Sequence, residues 1–116
     1  MKLWVDDERE APEGWTRVRT ANGAICMLNS LVPGGVEEIS LDHDLGDRDH
    51  DPERTGYTVL QHIEEKVVHD DSYVPPIIHI HTANAGARPR MEAAVASIRR
   101  LTVRKLKKAL ERAEEK

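Results

Sequence analysis

Acidic and imidazole side chains directly follow three short apolar segments of the chain. Asp6 and Asp7 follow the first segment, residues 42–44 (DHD) follow the second, and residues 81–84 (HTAN) follow the third. Carboxylates bind hard cations, imidazoles transfer protons near neutral pH, and hydroxyl or amide groups hydrogen-bond phosphate oxygens. These residue types predict a site that handles phosphate, if the fold brings the three clusters together.

Asp6, Asp7 and Asp42 form a predicted cation site. Three carboxylates at one place repel one another strongly, and either a bound cation or a raised pKa relieves that repulsion. An all-oxygen cluster is the type that Mg²⁺ or Mn²⁺ prefers, so we expect one of these ions as the cofactor. Asp44 is a further candidate metal ligand, and its alternative role is to hydrogen-bond the turn that Gly46 allows.

The other polar residues of the clusters have predicted roles in catalysis and substrate binding. His43 and His81 are the expected proton-transfer groups, and Asp42 is counted with them as catalytic. The residues expected to contact the phosphate of a substrate are Thr82, Asn84, Arg88 and Arg9. Both arginines lie in predicted loops, where the alternative is a solvated side chain.

Hydrophobic patterning predicts the elements that must position these residues. Short apolar segments predict strands over residues 2–5, 15–18, 36–41 and 77–81, the second of them at a sheet edge. Helical spacing predicts one helix from Ala21 with Thr20 as its N-cap, a second over residues 56–69, and a third from Pro89 to about Ala113. The third helix is either continuous or broken near Thr102.

Strands that alternate with helices indicate a parallel sheet with right-handed crossovers. The predicted fold is a small α/β domain, with a parallel sheet of about four strands flanked by helices and a long C-terminal helix. A reversal of winding between the first and third strands creates a crevice at the carboxyl ends, where open α/β sheets bind ligands. The polar residues at those strand ends would then meet in one place.

Length and composition limit the class of protein. The 116 residues are enough for one core, so residues 1–116 are predicted to be a single domain in which residues 102–116 extend the last helix. No apolar run approaches about eighteen residues and no signal-peptide pattern is found, so we expect a cytoplasmic protein without a membrane segment. Cys26 lies in a helical pattern and is predicted to be a small core residue.

Charge is distributed unevenly along the chain. Ten of the seventeen Lys and Arg residues lie from Arg88 onward, whereas twelve of the twenty-one acidic residues lie between residues 37 and 71. The basic helix face is either solvated or a contact for RNA or another acidic partner. Because the last helix is longer than a small sheet can cover, its end must project, fray, or pack on a second copy of the chain or another protein.

The order of the motifs resembles the receiver domains of two-component signalling. In those domains an acidic pair follows the first strand, an Asp ends the third, and Thr-Ala ends the fourth; here these are Asp6 and Asp7, Asp42, and Thr82 with Ala83. The resemblance implies a receiver-like (flavodoxin-like) fold, Mg²⁺ at the acidic pair and a phosphoryl group accepted by Asp42. The chain departs from this pattern because it has no clear helix between its first two strands and no fifth strand with a Lys.

The chain is more similar to the cyclic-phosphate processing receiver-like family. The matching segments are KLWVDDER at residues 2–9, ISLDHDLG at 39–46, TGY at 55–57, HTAN at 81–84, and Met91. The resemblance implies a metal-dependent phosphoesterase whose ligand is a phosphate-containing small molecule, such as a cyclic nucleotide, or a cyclic-phosphate RNA end. The additional histidines fit this activity, because opening a cyclic phosphodiester requires a proton at the leaving oxygen. The alternative is a receiver-type phosphoacceptor, or a degenerate signalling module that acts through protein contacts.

Overall fold

The computed structural model describes residues 1–30, 35–45 and 54–115. In chain order the elements are β1 (Lys2–Val5), β2 (Trp15–Val18), α1 (Ala21–Asn29), β3 (Glu38–Leu41), α2 (Gly56–His69), β4 (Ile77–Ile80) and α3 (Arg88–Glu114). Every predicted strand and helix is present, although β3 begins later and β4 ends earlier than the sequence indicates. The turn predicted at Gly46 lies outside the described residues.

The four strands form one parallel sheet in the order β2-β1-β3-β4. Leu3 of β1 lies opposite Ile39 of β3, which in turn lies opposite Ile78 of β4. The chain first winds from β1 to β2 and then crosses back past β1 to β3, so the predicted reversal of winding between β1 and β3 is confirmed. The crevice that this reversal creates lies at the carboxyl ends of β1 and β3.

The core lies on one face of the sheet. Alternate strand residues, among them Leu3, Val5, Ile39 and Leu41, are fully buried in a cluster that includes apolar residues from all three helices. Because α1 contacts α2 and α2 contacts α3, the helices form a single layer. Side chains on the other face of the sheet lie outside the core and are not packed against it; they are Lys2, Trp4, Trp15, Arg17, Glu38, Ser40, Ile77 and His79.

Side chains close the amino ends of α1 and α2. The hydroxyl of Thr20 accepts a hydrogen bond from the backbone N–H of Gly23 at 2.9 Å, so the predicted N-cap of α1 is confirmed. The hydroxyl of Thr55 caps α2, and the backbone N–H of Thr55 donates to the hydroxyl of Thr58 at 3.0 Å. This reciprocal pair satisfies two backbone donors and determines where α2 starts.

α3 runs without a break for 27 residues, so the alternative of an interruption near Thr102 is wrong. At about 1.5 Å per residue the helix is about 40 Å long. Its buried residues are Met91, Val95 and Ile98, whereas residues 106–115 are exposed. The carboxyl half of α3 therefore projects beyond the sheet and the other two helices.

Cys26, which was predicted to lie in the core, does not. It is exposed, because it lies on the side of α1 away from Ala21 and Ala24, which are buried. His79 lies on the helix-free face of the sheet, with its side chain 49% exposed and its Nε2 3.0 Å from Glu38. None of the described helices combines the length and the apolar composition that a membrane span requires.

Candidate functional site

Three carboxylates meet at the carboxyl ends of β1 and β3. One oxygen each from Asp6, Asp7 and Asp42 lies within 4.8 Å of the others. The meeting follows from the strand register: the N–H of Asp6 bonds the carbonyl of Val18, and the N–H of Asp42 bonds that of Val5, both at 3.0 Å, so both residues continue the ladder. The structure thus brings together the three residues predicted as the centre of a cation site.

Asp6 is fully buried, and both oxygens of its carboxylate are hydrogen-bonded. Oδ1 accepts from the backbone N–H groups of Glu8 and Arg9, each at 2.9 Å, and Oδ2 lies 3.0 Å from Nε2 of His81. Burial raises the pKa of Asp6, but these three hydrogen bonds outweigh burial and lower the pKa below its ordinary value. Asp6 is therefore ionised and held in one orientation, which suits a cation ligand.

The backbone at Asp42 is held by the start of α2. The N–H of Gly56 donates to the carbonyl of His43 at 3.0 Å. A Cβ atom at Gly56 would collide with the carbonyl oxygen of Asp42, so only glycine permits this approach. Oδ1 of Asp42 accepts from the N–H of His43 at 2.8 Å. Packing against α2 therefore positions the carboxylate of Asp42.

His81 lies between the sheet and the acidic cluster. Its Nε2 donates to Asp6, and its Nδ1 accepts from the hydroxyl of Ser40 at 2.7 Å, an arrangement that fits a neutral ring. The ring also stacks on Trp4, with centroids 3.8 Å apart and an interplanar angle of 7°. Burial lowers the pKa of His81 more than the bond to Asp6 raises it. Since both ring nitrogens are engaged, this geometry suits orienting Asp6, and a role in proton transfer stays a prediction.

His43 has a different environment from His81. Its Nδ1 donates to Oδ1 of Asp44 at 2.8 Å, and the side chain is 14% exposed. This bond lowers the pKa of Asp44, and a weaker bond from Asn84 acts in the same direction. Among the described residues no group bonds Nε2 of His43, so this nitrogen can accept or donate a proton.

Asp44 lies apart from the three carboxylates. Its side chain is 66% exposed, and besides His43 it contacts the amide nitrogen of Asn84 at 3.3 and 3.4 Å. The Oδ1 atom of Asn84 accepts from the N–H groups of Gly86 and Ala87, so Asn84 connects the loop before α3 to Asp44. The roles predicted for Asp44 as a ligand and for Asn84 as a phosphate contact stay predictions.

The remaining predicted substrate-binding residues lie around the end of β4. Thr82 is buried, and its hydroxyl accepts from the N–H of Asn84 at 3.1 Å. Nη1 of Arg88 donates to the carbonyl of Thr82 at 3.3 Å, and Nη1 of Arg9 donates to that of His81 at 2.9 Å. The side chains of both arginines are about half exposed, at 47% and 49%. Two guanidinium groups thus lie at this edge of the sheet, near carboxylates and open to solvent.

Three residues that support the site were not predicted from the sequence. Trp4 and Ser40 hold His81 from two sides, and Gly56 allows α2 to approach Asp42. The sequence does contain a signal for Trp4 and Ser40. Both alternate with the core residues of their strands, β1 and β3, and therefore lie on the helix-free face together with His81. The role of Gly56 has no such signal, since the close approach joins the start of α2 to Asp42, which lies fourteen residues earlier in the chain.

The arrangement combines the parts that phosphoryl chemistry requires. Three carboxylates, the imidazole of His43, whose Nε2 bonds no described residue, and two guanidinium groups lie at one sheet edge. Oxygen clusters of this kind hold hard divalent cations, and guanidinium groups bind phosphate in a fixed geometry.

Comparison with known proteins identifies one family. The model of the cyclic-phosphate processing receiver domain matches residues 1–97, which include all four strands, α1, α2 and the first part of α3. No curated protein and no solved structure shows significant similarity to the chain. The match covers every residue of the candidate site.

Proposed function

This chain belongs to the cyclic-phosphate processing receiver domain family, and on that premise we propose that it is a metal-dependent phosphoesterase that opens cyclic phosphates. The observation that carries the proposal is the meeting of Asp6, Asp7 and Asp42 within 4.8 Å. The residue after Asp42 is His43, whose Nε2 has no bonding partner within residues 1–30, 35–45 and 54–115. Three carboxylates at this spacing favour a bound cation, and a positioned imidazole supplies proton transfer.

The donor set fits Mg²⁺ or Mn²⁺. Asp6, Asp7 and Asp42 would hold the ion through oxygen atoms only, which is the coordination that these cations prefer over nitrogen or sulfur. A bound ion would polarise the phosphoryl group or lower the pKa of a water molecule. Asp44 would act less directly, by keeping the ring of His43 in one orientation.

Proton transfer falls to His43 in this proposal. When a water molecule attacks the phosphorus of a cyclic phosphate, one P–O bond to the sugar breaks and the departing oxygen takes up a proton. With Nδ1 bonded to Asp44, Nε2 of His43 is the atom that would remove the proton from water or deliver it to the leaving oxygen. His81 would orient Asp6 through the hydrogen bond between them. Trp4 and Ser40 would hold the imidazole of His81 in place for this role.

Phosphate binding would use the cationic and polar groups around the end of β4. Arg9 and Arg88 are held through backbone carbonyls and keep half of their surface exposed, so each can present donors to a phosphate. Thr82 and Asn84 would contribute polar contacts. The expected substrates are a cyclic nucleotide or a cyclic-phosphate RNA end.

The second candidate function is that of a receiver-type phosphoacceptor. It is favoured by the position of Asp42 at the end of β3 beside the buried Asp6, where an acidic pair could hold the cation that phosphoryl transfer to Asp42 needs. In this case the protein would act through contacts with other proteins and not as an enzyme.

Hydrolysis of a 2′,3′-cyclic nucleotide by the purified protein tests the first candidate. With Mg²⁺ or Mn²⁺ we expect turnover that EDTA abolishes and that Asp42→Asn and His43→Gln each reduce by about 100-fold or more. Asp71→Asn is the matched control, since Asp71 is an exposed acid in the loop after α2. Turnover without metal, or turnover that both site variants retain, would contradict the proposal.

Incubation with acetyl phosphate separates the two candidates. A protein that shows no hydrolysis but is phosphorylated at Asp42, as detected by a mass increase lost in Asp42→Asn, is a receiver-type phosphoacceptor. A protein that shows neither reaction is a binding module, and both proposals fail.

A further inference from the structure

The projecting half of α3 carries a row of exposed apolar side chains. Val103, Leu106 and Leu110 are 63%, 56% and 65% exposed, although large apolar residues in a small domain are usually covered. Their spacings of three and four residues, followed by Ala113 three residues later, place them on one face of the helix. This row, residues 103, 106, 110 and 113, is called the α3 stripe.

The α3 stripe is distinct from the face of α3 that packs on the domain. Met91, Val95 and Ile98 are buried against the core, and Lys105 is held to the domain by hydrogen bonds to the carbonyls of Asp70 at 2.7 Å and Tyr73 at 3.2 Å. At about 100° per residue, the centre of the stripe is turned about 70° from the centre of the three buried residues, and the stripe lies further along the helix, where its large side chains are exposed. It can therefore be covered by a partner without disturbing the fold.

Further apolar surface continues from the stripe onto the sheet. A groove beside Val103 is lined by Pro75, Pro76, Ile77 and Ile98, and Ile77 itself is 59% exposed. Ile77 begins β4, which is an edge strand of the sheet. Val103 belongs to both the stripe and the lining of this groove, so the two form one exposed apolar surface.

The charges that flank the stripe are self-complementary when two copies run in opposite directions. At about 100° per residue, Lys107 and Glu114 lie on the same side of the stripe, about 80° and about 60° from its centre. Two antiparallel helices place these opposite charges beside each other, whereas in a parallel pair they would face the uncharged residues Thr102 and Ala109. An RNA strand would be repelled by Glu114, so the pattern favours a second copy of the chain.

We propose that the protein forms a homodimer in which the α3 helices of two copies pair antiparallel through the α3 stripe. Leu106 of one copy lies opposite Leu110 of its partner, and Val103 lies opposite the partner's Ala113. In this register Lys107 lies beside the partner's Glu114 on the outer edge of the pair, twice by symmetry.

The interface is separate from the candidate site. Arg88, the site residue on α3, begins the helix, whereas the stripe begins fifteen residues further on, about 22 Å along the axis. The two sites of the dimer would lie at opposite ends of the helix pair. Because only about two heptads pair, we expect a weak dimer with a Kd in the micromolar range.

Sedimentation equilibrium of the full chain at about 1–500 μM tests the dimer in the concentration range expected for a weak interface. We expect a monomer–dimer equilibrium that the double variant L106D/L110D weakens by at least about 30-fold. Val68→Asp is the matched control: Val68 is 53% exposed and lies beside the other flank of α3, near Arg104 and Lys108, so dimerisation should persist. Circular dichroism verifies that both variants keep their helix content.

Charge exchange tests the direction of pairing. We expect Lys107→Glu and Glu114→Lys each to weaken the dimer by about threefold or more, and the double variant K107E/E114K to restore it. A wild-type protein that stays monomeric at all concentrations, or a dimer that survives in L106D/L110D, would overturn the proposal. If K107E/E114K dimerises no more tightly than the two single variants, antiparallel pairing is overturned.

Discussion

Gly56 shows how a residue without a side chain positions one that carries chemistry. Its N–H bonds the carbonyl of His43, and a Cβ at this position would meet the carbonyl of Asp42 from one side and approach the side chain of Met91 at 3.2 Å from the other. The backbone of Asp42 and the core thus leave no space between them. The chemistry proposed for Asp42 depends on this close approach as much as on its own carboxylate.

Gly56→Ala is expected to destabilise the protein by about 1–3 kcal/mol, because an additional methyl group must displace either α2 or the carbonyl of Asp42. Urea denaturation of the metal-free protein measures this change. Gly86→Ala is the control, since a Cβ there meets only Oδ1 of Asn84 at an ordinary 3.5 Å. Equal stability of the two variants would show that α2 does not constrain Asp42.

At the scale of elements, α1 and α2 are joined by one polar contact beside their apolar packing. Nε2 of His62 donates to Oδ1 of Asn29 at 3.1 Å. Burial lowers the pKa of His62, and the positive charge of Lys66 adds to the effect. Folding therefore favours the neutral ring over the protonated ring.

Acid should weaken the folded state through this contact. Because the pKa of His62 is lower in the folded than in the unfolded chain, its stabilising contribution is complete above the unfolded value of about 6.5 and is lost as the pH falls towards the folded value. We expect wild type to lose more stability between pH 7.5 and 5.5 than His62→Gln, which keeps a donor for Asn29. Urea denaturation at both pH values measures the difference. An identical loss in the variant would mean that His62 does not contribute.

At the scale of the whole molecule, the helices cover one face of the sheet and the polar cluster lies at its edge. On the helix-free side of the sheet, His81 holds Asp6, and Trp4 and Ser40 hold His81. On the core side, α2 packs against the backbone of Asp42. The fold thus holds the three carboxylates together, and we expect a bound cation to relieve the repulsion between them.

Metal binding should therefore stabilise the entire domain. At a concentration of Mg²⁺ or Mn²⁺ about 100 times its Kd, linkage predicts about 2.7 kcal/mol of stabilisation, which raises Tm by several degrees and is reversed by EDTA. Asp42→Asn should remove this shift and, without metal, should be at least as stable as wild type, because one of three mutually repelling charges is gone. A shift that Asp42→Asn retains but Asp71→Asn loses would place the cation elsewhere.

The elements and the strand-end clusters were predictable because their signals are local. Apolar runs that end in Asp6, Asp42 and His81, caps at Thr20 and the helical spacing of α2 are each contained in a few neighbouring residues. The alternation of strands and helices then limits the sheet to a parallel arrangement with right-handed crossovers. Length and spacing alone could not determine whether α3 continues past Thr102, because most residues beyond it are charged and the large apolar ones do not pack on the core.

Contacts between distant segments were decided only by the tertiary structure. Asp6 and His81 are 75 residues apart, and their hydrogen bond depends on the register of three strands. The same register gives His81 the hydroxyl of Ser40 and the ring of Trp4, so both nitrogens of this imidazole are engaged. In contrast, Nε2 of His43 bonds none of the residues that the structure describes. Residue type and spacing determine which groups are available, whereas strand register and packing determine which of them are held, which are open, and which meet.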